Sequence, residues 1–358
     1  MIYEKEESLT INNNLITKVD FCNKNLTFIH FQTFSDLNKL TLIDLSFNNL
    51  KSLDSNLFSN LINLKHINLR DNRIQYLDKN IFQNNINLTT IDLFNNQLES
   101  IDPNLFNNLV NLEGIYLNKN KLSFLSPFLF RGLKKLDRIN LQNNILTSLD
   151  SNIFNDLENL KHCYINNNEL IELNSELFTN NKKLQLICLN NNKLSLLDPK
   201  TFCRLENLTS LYLNNNQIKF IDSDLFSNLF KLEKIDLSNN LIEILNDETF
   251  YCLKNLLILN LSFNCLKAFN SELISKTKRL NQINISNNNL IEIQLNCFTH
   301  LKRLNKIDLS NNKLTEIDLD VFKSFKYLNE VKLNGNMFTR QFDIYDFDTL
   351  DKVWRFLI

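Results

Sequence analysis

The chain has 358 residues and carries 39 lysines and arginines against 40 aspartates and glutamates, a formal charge of -1. That balance gives no electrostatic drive toward nucleic acid or an anionic membrane, and three glycines leave no material for a phosphate-cradling loop. Asparagine makes up about 18 per cent of the residues, beside three prolines and a single alanine, Ala268, so turns must rely on a residue that tolerates left-handed backbone.

In chain order, residues 1–15 match no repeat and read as an N-terminal cap segment, with a short strand expected around 8–11. The opening MIYEKEESLTINNN lacks the basic start and apolar core of a secretory leader. A first, weak copy of a repeat begins at Ile16, with Val19, Phe21 and Leu26 in register and Lys24 at the position that later holds asparagine. From there an asparagine stands at every twenty-fourth position: Asn48, Asn72, Asn96, Asn120, Asn144, Asn168, Asn192, Asn216, Asn240, Asn264, Asn288, Asn312 and Asn336. Each is framed by the same apolar set, as in Leu40, Ile43, Leu45 and Leu50. Fourteen turns are thus expected over residues 16–338. Alternation within Leu-x-x-Leu-x-Leu puts Leu64, Ile67 and Leu69 inward and Lys65, His66 and Asn68 outward.

The fixed asparagine is expected to enter the bend after each strand and bond the main chain of neighbouring turns, forming a ladder. A second column holds Phe34, Phe58, Phe82, Phe106, Phe130, Phe154, Phe178, Phe202, Phe226, Phe250, Phe298 and Phe322, with Ile274 as the exception. Within a repeat register such a stripe is packing. Residues 339–358 leave the repeat. Leu350, Val353, Trp354 and Leu357 follow the i, i+3, i+4, i+7 spacing of an amphipathic helix, and a capping helix is expected there. The longest apolar stretches, such as 256–259, are too short to cross a bilayer.

The 24-residue unit LTLIDLSFNNLKSLDSNLFSNLIN closely resembles the typical leucine-rich repeat of Toll-like receptor ectodomains, Slit proteins and small leucine-rich proteoglycans. The resemblance covers about nine tenths of the chain. It implies an α/β solenoid: a leucine-rich-repeat horseshoe with a concave parallel β-sheet of about fourteen strands, an asparagine ladder and a phenylalanine column. It also implies a non-enzymatic scaffold that binds through its surfaces. At the C-terminus Asn336, Phe338, Leu350 and Trp354 fit the family's cysteine-rich cap, but Met337, Arg340 and Phe342 stand where the family has proline and paired cysteines. At the N-terminus Phe21 stands where the last cap cysteine is expected, with Cys22 beside it.

The seven cysteines, Cys22, Cys163, Cys188, Cys203, Cys252, Cys265 and Cys297, are odd in number and scattered over repeat positions. Missing cap cysteines and the absence of a leader favour a reducing, cytoplasmic compartment, whereas the family habit points to the cell exterior. Sequons at Asn25, Asn87, Asn207, Asn260 and Asn284 are as many as chance supplies at this asparagine content. Some details echo every 96 residues, for example Asp54-Ser55-Asn56 with Asp150-Ser151-Asn152, and Asn84-Asn85 with Asn180-Asn181. A duplicated four-turn block explains them.

No catalytic, metal or cofactor constellation is expected: His66 and His162 lie four strands, about 19 Å, apart, and Asp44, Asp92, Asp236 and Asp308 at the fifth strand position are common in this repeat class. Function is assigned instead to outward strand residues. Phe94, Tyr116, Arg138, His162, Tyr164 and Tyr212 form the candidate partner site, since tyrosine and arginine are enriched at interface hot spots. Leu257, Ile258 and Phe263 form a second, apolar patch suited to extending that surface or to meeting another copy of the chain. The expected partner is a protein or peptide held on the concave face. The rival reading is a fragment of an extracellular receptor or matrix protein that recognises a glycan or microbial ligand.

Overall fold

In the computed structural model the described residues are 15–270, 272–293, 298–318, 322, 325–339 and, for the backbone, 355–357. Each turn contributes one three-residue strand: β1 is Lys18–Asp20, β2 Leu42–Asp44, β3 His66–Asn68, β4 Thr90–Asp92, β5 Gly114–Tyr116, β6 Arg138–Asn140, β7 His162–Tyr164, β8 Leu186–Cys188, β9 Ser210–Tyr212, β10 Lys234–Asp236, β11 Ile258–Asn260, β12 Gln282–Asn284, β13 Lys306–Asp308 and β14 Glu330–Lys332. All pair in parallel with their chain neighbours, in sequence order, at a shift of one turn, as in Ile43 opposite Ile67. The result is the expected horseshoe solenoid with a single parallel sheet. Leu64, Ile67 and Leu69 are buried, while His66 is exposed and Asn68 half-buried.

A fifteenth strand, β15 (Arg355–Leu357), pairs in parallel with β14. It corrects the sequence-based helix at its C-terminal end: Leu357 belongs to a strand that continues the ladder of backbone hydrogen bonds, a demand that apolar spacing does not register. The rest of that expected helix, with Leu350, Val353 and Trp354, lies outside the described residues, as does the strand expected around 8–11.

The asparagine ladder forms at all thirteen positions. Asn192 is representative: its Nδ2 donates to the carbonyls of Ile165 (3.2 Å) and Leu189 (3.0 Å), and its Oδ1 accepts from the Leu170 amide at 3.1 Å. One side chain thereby ties together its own turn and the one before. The residue immediately ahead of each ladder asparagine takes a left-handed backbone, from Phe47 (φ 54) through Asn191 (φ 54) to Asn311 (φ 54) and Gly335 (φ 72). This is the backbone demand that asparagine meets at low cost, and it accounts for the Asn-Asn pairs along the chain.

The phenylalanines stack on the far side of the core, Phe130 to Phe154 at 6.5 Å and Phe154 to Phe178 at 6.0 Å between ring centroids. At the position where most turns have a buried leucine, Asn85 and Asn181 are fully buried. Each Nδ2 donates to two carbonyls of the preceding turn, Phe58 and Leu61, or Phe154 and Leu157. This part of the 96-residue echo is therefore structural.

A further ladder runs along the flank. Asn111, Asn159, Asn207 and Asn255 each donate Nδ2 to a carbonyl of the previous turn, while Lys135, Lys183, Lys231 and Arg279 of the following turns donate to their Oδ1 atoms. Asn87, too, gives its nitrogen to Ile62. In the sequons at Asn87 and Asn207, then, the nitrogen that a glycan would take is engaged in this ladder.

Candidate functional site

The fifth strand position decides how the concave face is built. In most turns its side chain is an aspartate or asparagine that accepts the backbone N–H two residues on, closing the bend after the strand. Asp20, Asp44, Asn68, Asp92, Asn140, Asp236, Asn260, Asn284 and Asp308 all do so, at 2.9–3.2 Å. Three of these aspartates also take a serine hydroxyl at 2.6 Å. These carboxylates are turn-closing groups of the kind Asx side chains supply, not merely solvated ones. In β5, β7, β8 and β9 the same position holds Tyr116, Tyr164, Cys188 and Tyr212, whose side chains offer no carbonyl or carboxylate oxygen for that bond.

Five adjacent strands thus carry a distinct surface. Gly114, on the same face of β5 as Tyr116, makes room for it: a Cβ at Gly114 would stand 3.2 Å from Tyr116 Cε2 and 3.5 Å from its hydroxyl. Without that side chain the tyrosine ring lies back along its own strand. Gly114 is opposite Arg138 on β6, and the nearby Tyr116 hydroxyl favours the charged form of the Arg138 guanidinium. Arg138 is opposite His162. Burial, and then the Arg138 charge, depress the His162 pKa, favouring the neutral ring. Burial raises the Tyr164 phenol, with Arg138 acting in the opposite sense, and also raises Tyr212.

Cys188 lies between Tyr164 and Tyr212 in register, and burial pushes its thiol up to about 11. It is a neutral thiol at physiological pH and serves as apolar floor between the two rings. Cys163 points the other way and is fully buried, as expected from alternation.

The structure therefore brings together Tyr116, Arg138, His162, Tyr164 and Tyr212, and adds Gly114 and Cys188. Phe94 joins a different group. It stands in the bend after β4, where the Arg70 guanidinium lies 4.8 Å from its ring and 5.3 Å from that of Phe47, and Lys119 approaches at 5.7 Å. Arg70 is also paired with Asp71 at 2.9 Å, so its charge is already met. Beside it, burial raises the pKa of Asp92. The second predicted patch divides along β11: Leu257 and Ile258 are half-buried at its start, and Phe263, 55% exposed with φ 55, lies beyond its end.

Two features escaped the sequence reading. Leu196, Phe220 and Ile244 occupy one register in three successive turns and are 64%, 51% and 69% exposed; their equal spacing of twenty-four was the available signal. On another side, a cleft of about 540 Å³ opens among Pro103, Asn108, Val110, Phe128 and Gly132, where Asn108 (φ 67) and Gly132 (φ 78) both take left-handed backbone. Among the described residues no helix is long and apolar enough to cross a membrane, and no three His, Cys, Asp or Glu side chains group to hold a metal ion.

The family profile described as leucine rich repeat matches overlapping stretches that run from residues 15–74 to residues 278–338 and together span the whole array. The chain belongs to the leucine-rich repeat family. Among curated proteins none matches the sequence. Among solved structures, this leucine-rich repeat chain is similar to an LRR protein of Leptospira interrogans, with 25% identity and a TM-score of 0.84 over 93% of this chain and 82% of that one. It is also similar to the structure of the Drosophila Toll–Spatzle complex, with 26% identity and a TM-score of 0.81 over 87% of this chain. The match spans 43% of that longer chain. The LRIM1/APL1C complex, at 22% identity and a TM-score of 0.77 over 94% of this chain and 60% of that one, shares the fold. Leucine-rich repeats of this kind are scaffolds for protein interaction.

Proposed function

We propose that this leucine-rich repeat binds a protein or peptide partner on its concave face, centred on strands β5 to β9, without catalysing a reaction. The observation that carries this reading is the exchange of turn-closing Asp or Asn for Tyr116, Tyr164, Cys188 and Tyr212. Each exchange gives up a hydrogen bond worth about 0.5–1.5 kcal/mol net and installs in its place, at three of the four positions, the kind of side chain that anchors interfaces. A rigid sheet presents these rings with little ordering cost on binding. Toll in its complex with Spatzle, and LRIM1 with APL1C, are proteins of the same fold found in assemblies, which supports the reading.

Asparagine supplies the test, because Asn68, Asn140, Asn260 and Asn284 already close the bend at this register. Replacing Tyr116, Tyr164 and Tyr212 together by asparagine is expected to abolish partner capture while thermal melting stays level or rises slightly, since the restored bends offset the lost ring contacts. Capture that persists in this variant would remove the concave centre as the binding site.

A further inference from the structure

Four lysines and arginines are half-buried on or beside the strand face between β3 and β14: Arg70, Arg138, Lys161 and Lys332. Arg70 is paired with Asp71, Lys161 with Asp137 at 3.3 Å, and Lys332 with Asp308 and Glu330. Arg138 has no carboxylate within ion-pair distance among the described residues. The Tyr116 hydroxyl is near it, and its Nε, like Nδ1 of the neighbouring His162, is buried without a hydrogen-bond partner. Nearby Asp137 is already taken by Lys161. The centre of the tyrosine surface is therefore a fixed positive charge without its counter-ion.

We propose that Arg138 receives the carboxylate of an aspartate or glutamate side chain from the bound peptide; this inference rests on the concave-face reading above. Guanidinium and carboxylate match as a planar two-bond pair. Tyr116 on β5 and Tyr164 on β7 stand in the row one pleat along from Arg138, on the strands either side of it, and border the same spot. A lone cation in a chain of net charge -1 suits one carboxylate better than a polyphosphate backbone, which is bound by several cations in a row. Its place also argues for the interior of a peptide and not its end. Tyr116 lies on one side of Arg138, with Tyr164 and Tyr212 on the other, so a segment that covers all three crosses Arg138 part-way along. About ten extended residues, at roughly 3.3 Å each, exceed the approximately 19 Å between β5 and β9.

A displayed library of random peptides of about ten residues, both ends blocked, is the probe for the full chain. Selection is expected to yield peptides with a marked preference for Asp or Glu at one internal position. Against R138Q that preference should vanish, and peptides chosen on the unaltered chain should bind about tenfold or more weakly, with melting unchanged; R138K should retain the preference at reduced affinity. Tyrosine-dependent binding that shows no acidic preference, or whose preference survives R138Q, overturns this inference alone. Binding that strictly requires a free C-terminal carboxylate in a matched unblocked library overturns the side-chain assignment. Peptides that bind the triple asparagine variant equally well, or no selected peptides at all, overturn the concave-face reading and this inference with it.

Discussion

Replacing Phe154 by alanine is expected to destabilise the chain by about 3–5 kcal/mol, the usual cost of emptying a buried aromatic site. Phe154 is fully buried between Phe130 and Phe178, so the variant loses two ring contacts as well as apolar burial. Because each turn packs only on its neighbours, the damage falls on the coupling between the two halves of the stack. Chemical denaturation followed by circular dichroism should show a lower midpoint and a broader or divided transition, as a repeat array does when its cooperativity fails. The same substitution at Phe34, stacked on Phe58 near the N-terminal end, should lower the midpoint less and leave a single transition.

The ladder should be sensitive too, to a smaller degree. In Asn192→Ala the Leu170 amide loses its side-chain partner inside the core, while the carbonyls of Ile165 and Leu189 lose one donor each and keep Asn168 and Asn216. One buried polar group left unpaired costs about 1–3 kcal/mol, and the emptied site adds a small void, so a loss of roughly 2–3 kcal/mol is expected from the same denaturation measurement. Asn336 makes the corresponding bonds to Leu309, Leu333 and Leu314 but is only part-buried. Solvent can replace some of them, and Asn336→Ala should cost about 1 kcal/mol. Equal losses at the two positions would show that the bonds matter little and that the side chain acts mainly by filling space.

Much of this architecture was legible because it repeats. A leucine at a fixed phase has one place to go, and thirteen asparagines in phase require a shared partner, which the bend carbonyls supply. The tyrosines were legible as departures from that phase. What the sequence did not disclose depends on partners in the adjacent turn. The acceptor role of Asp44 or Asn260 is a bond within one bend, and only its recurrence in the folded chain separates it from solvated polarity. The flank ladder alternates asparagine with lysine, two residues that carry no apolar signal. Gly114 matters through the ring of Tyr116, and Phe94 was grouped with the tyrosines although its neighbours are Arg70 and Lys119. At the C-terminal end, helical spacing was read where the last residues serve a sheet edge.

The strict pairing of strands β1 to β14 with residues twenty-four positions away has a consequence for how such a chain can change length. Removing or inserting a whole turn leaves every ladder, ring stack and strand register in phase, whereas any other increment forces the bend asparagines against the wrong carbonyls. The molecule is thus measured out in units of one turn, and its reach can grow by copying a block, as the 96-residue echo records. A longer arc would lengthen the space on either side of Arg138 and leave the residues around it where they are.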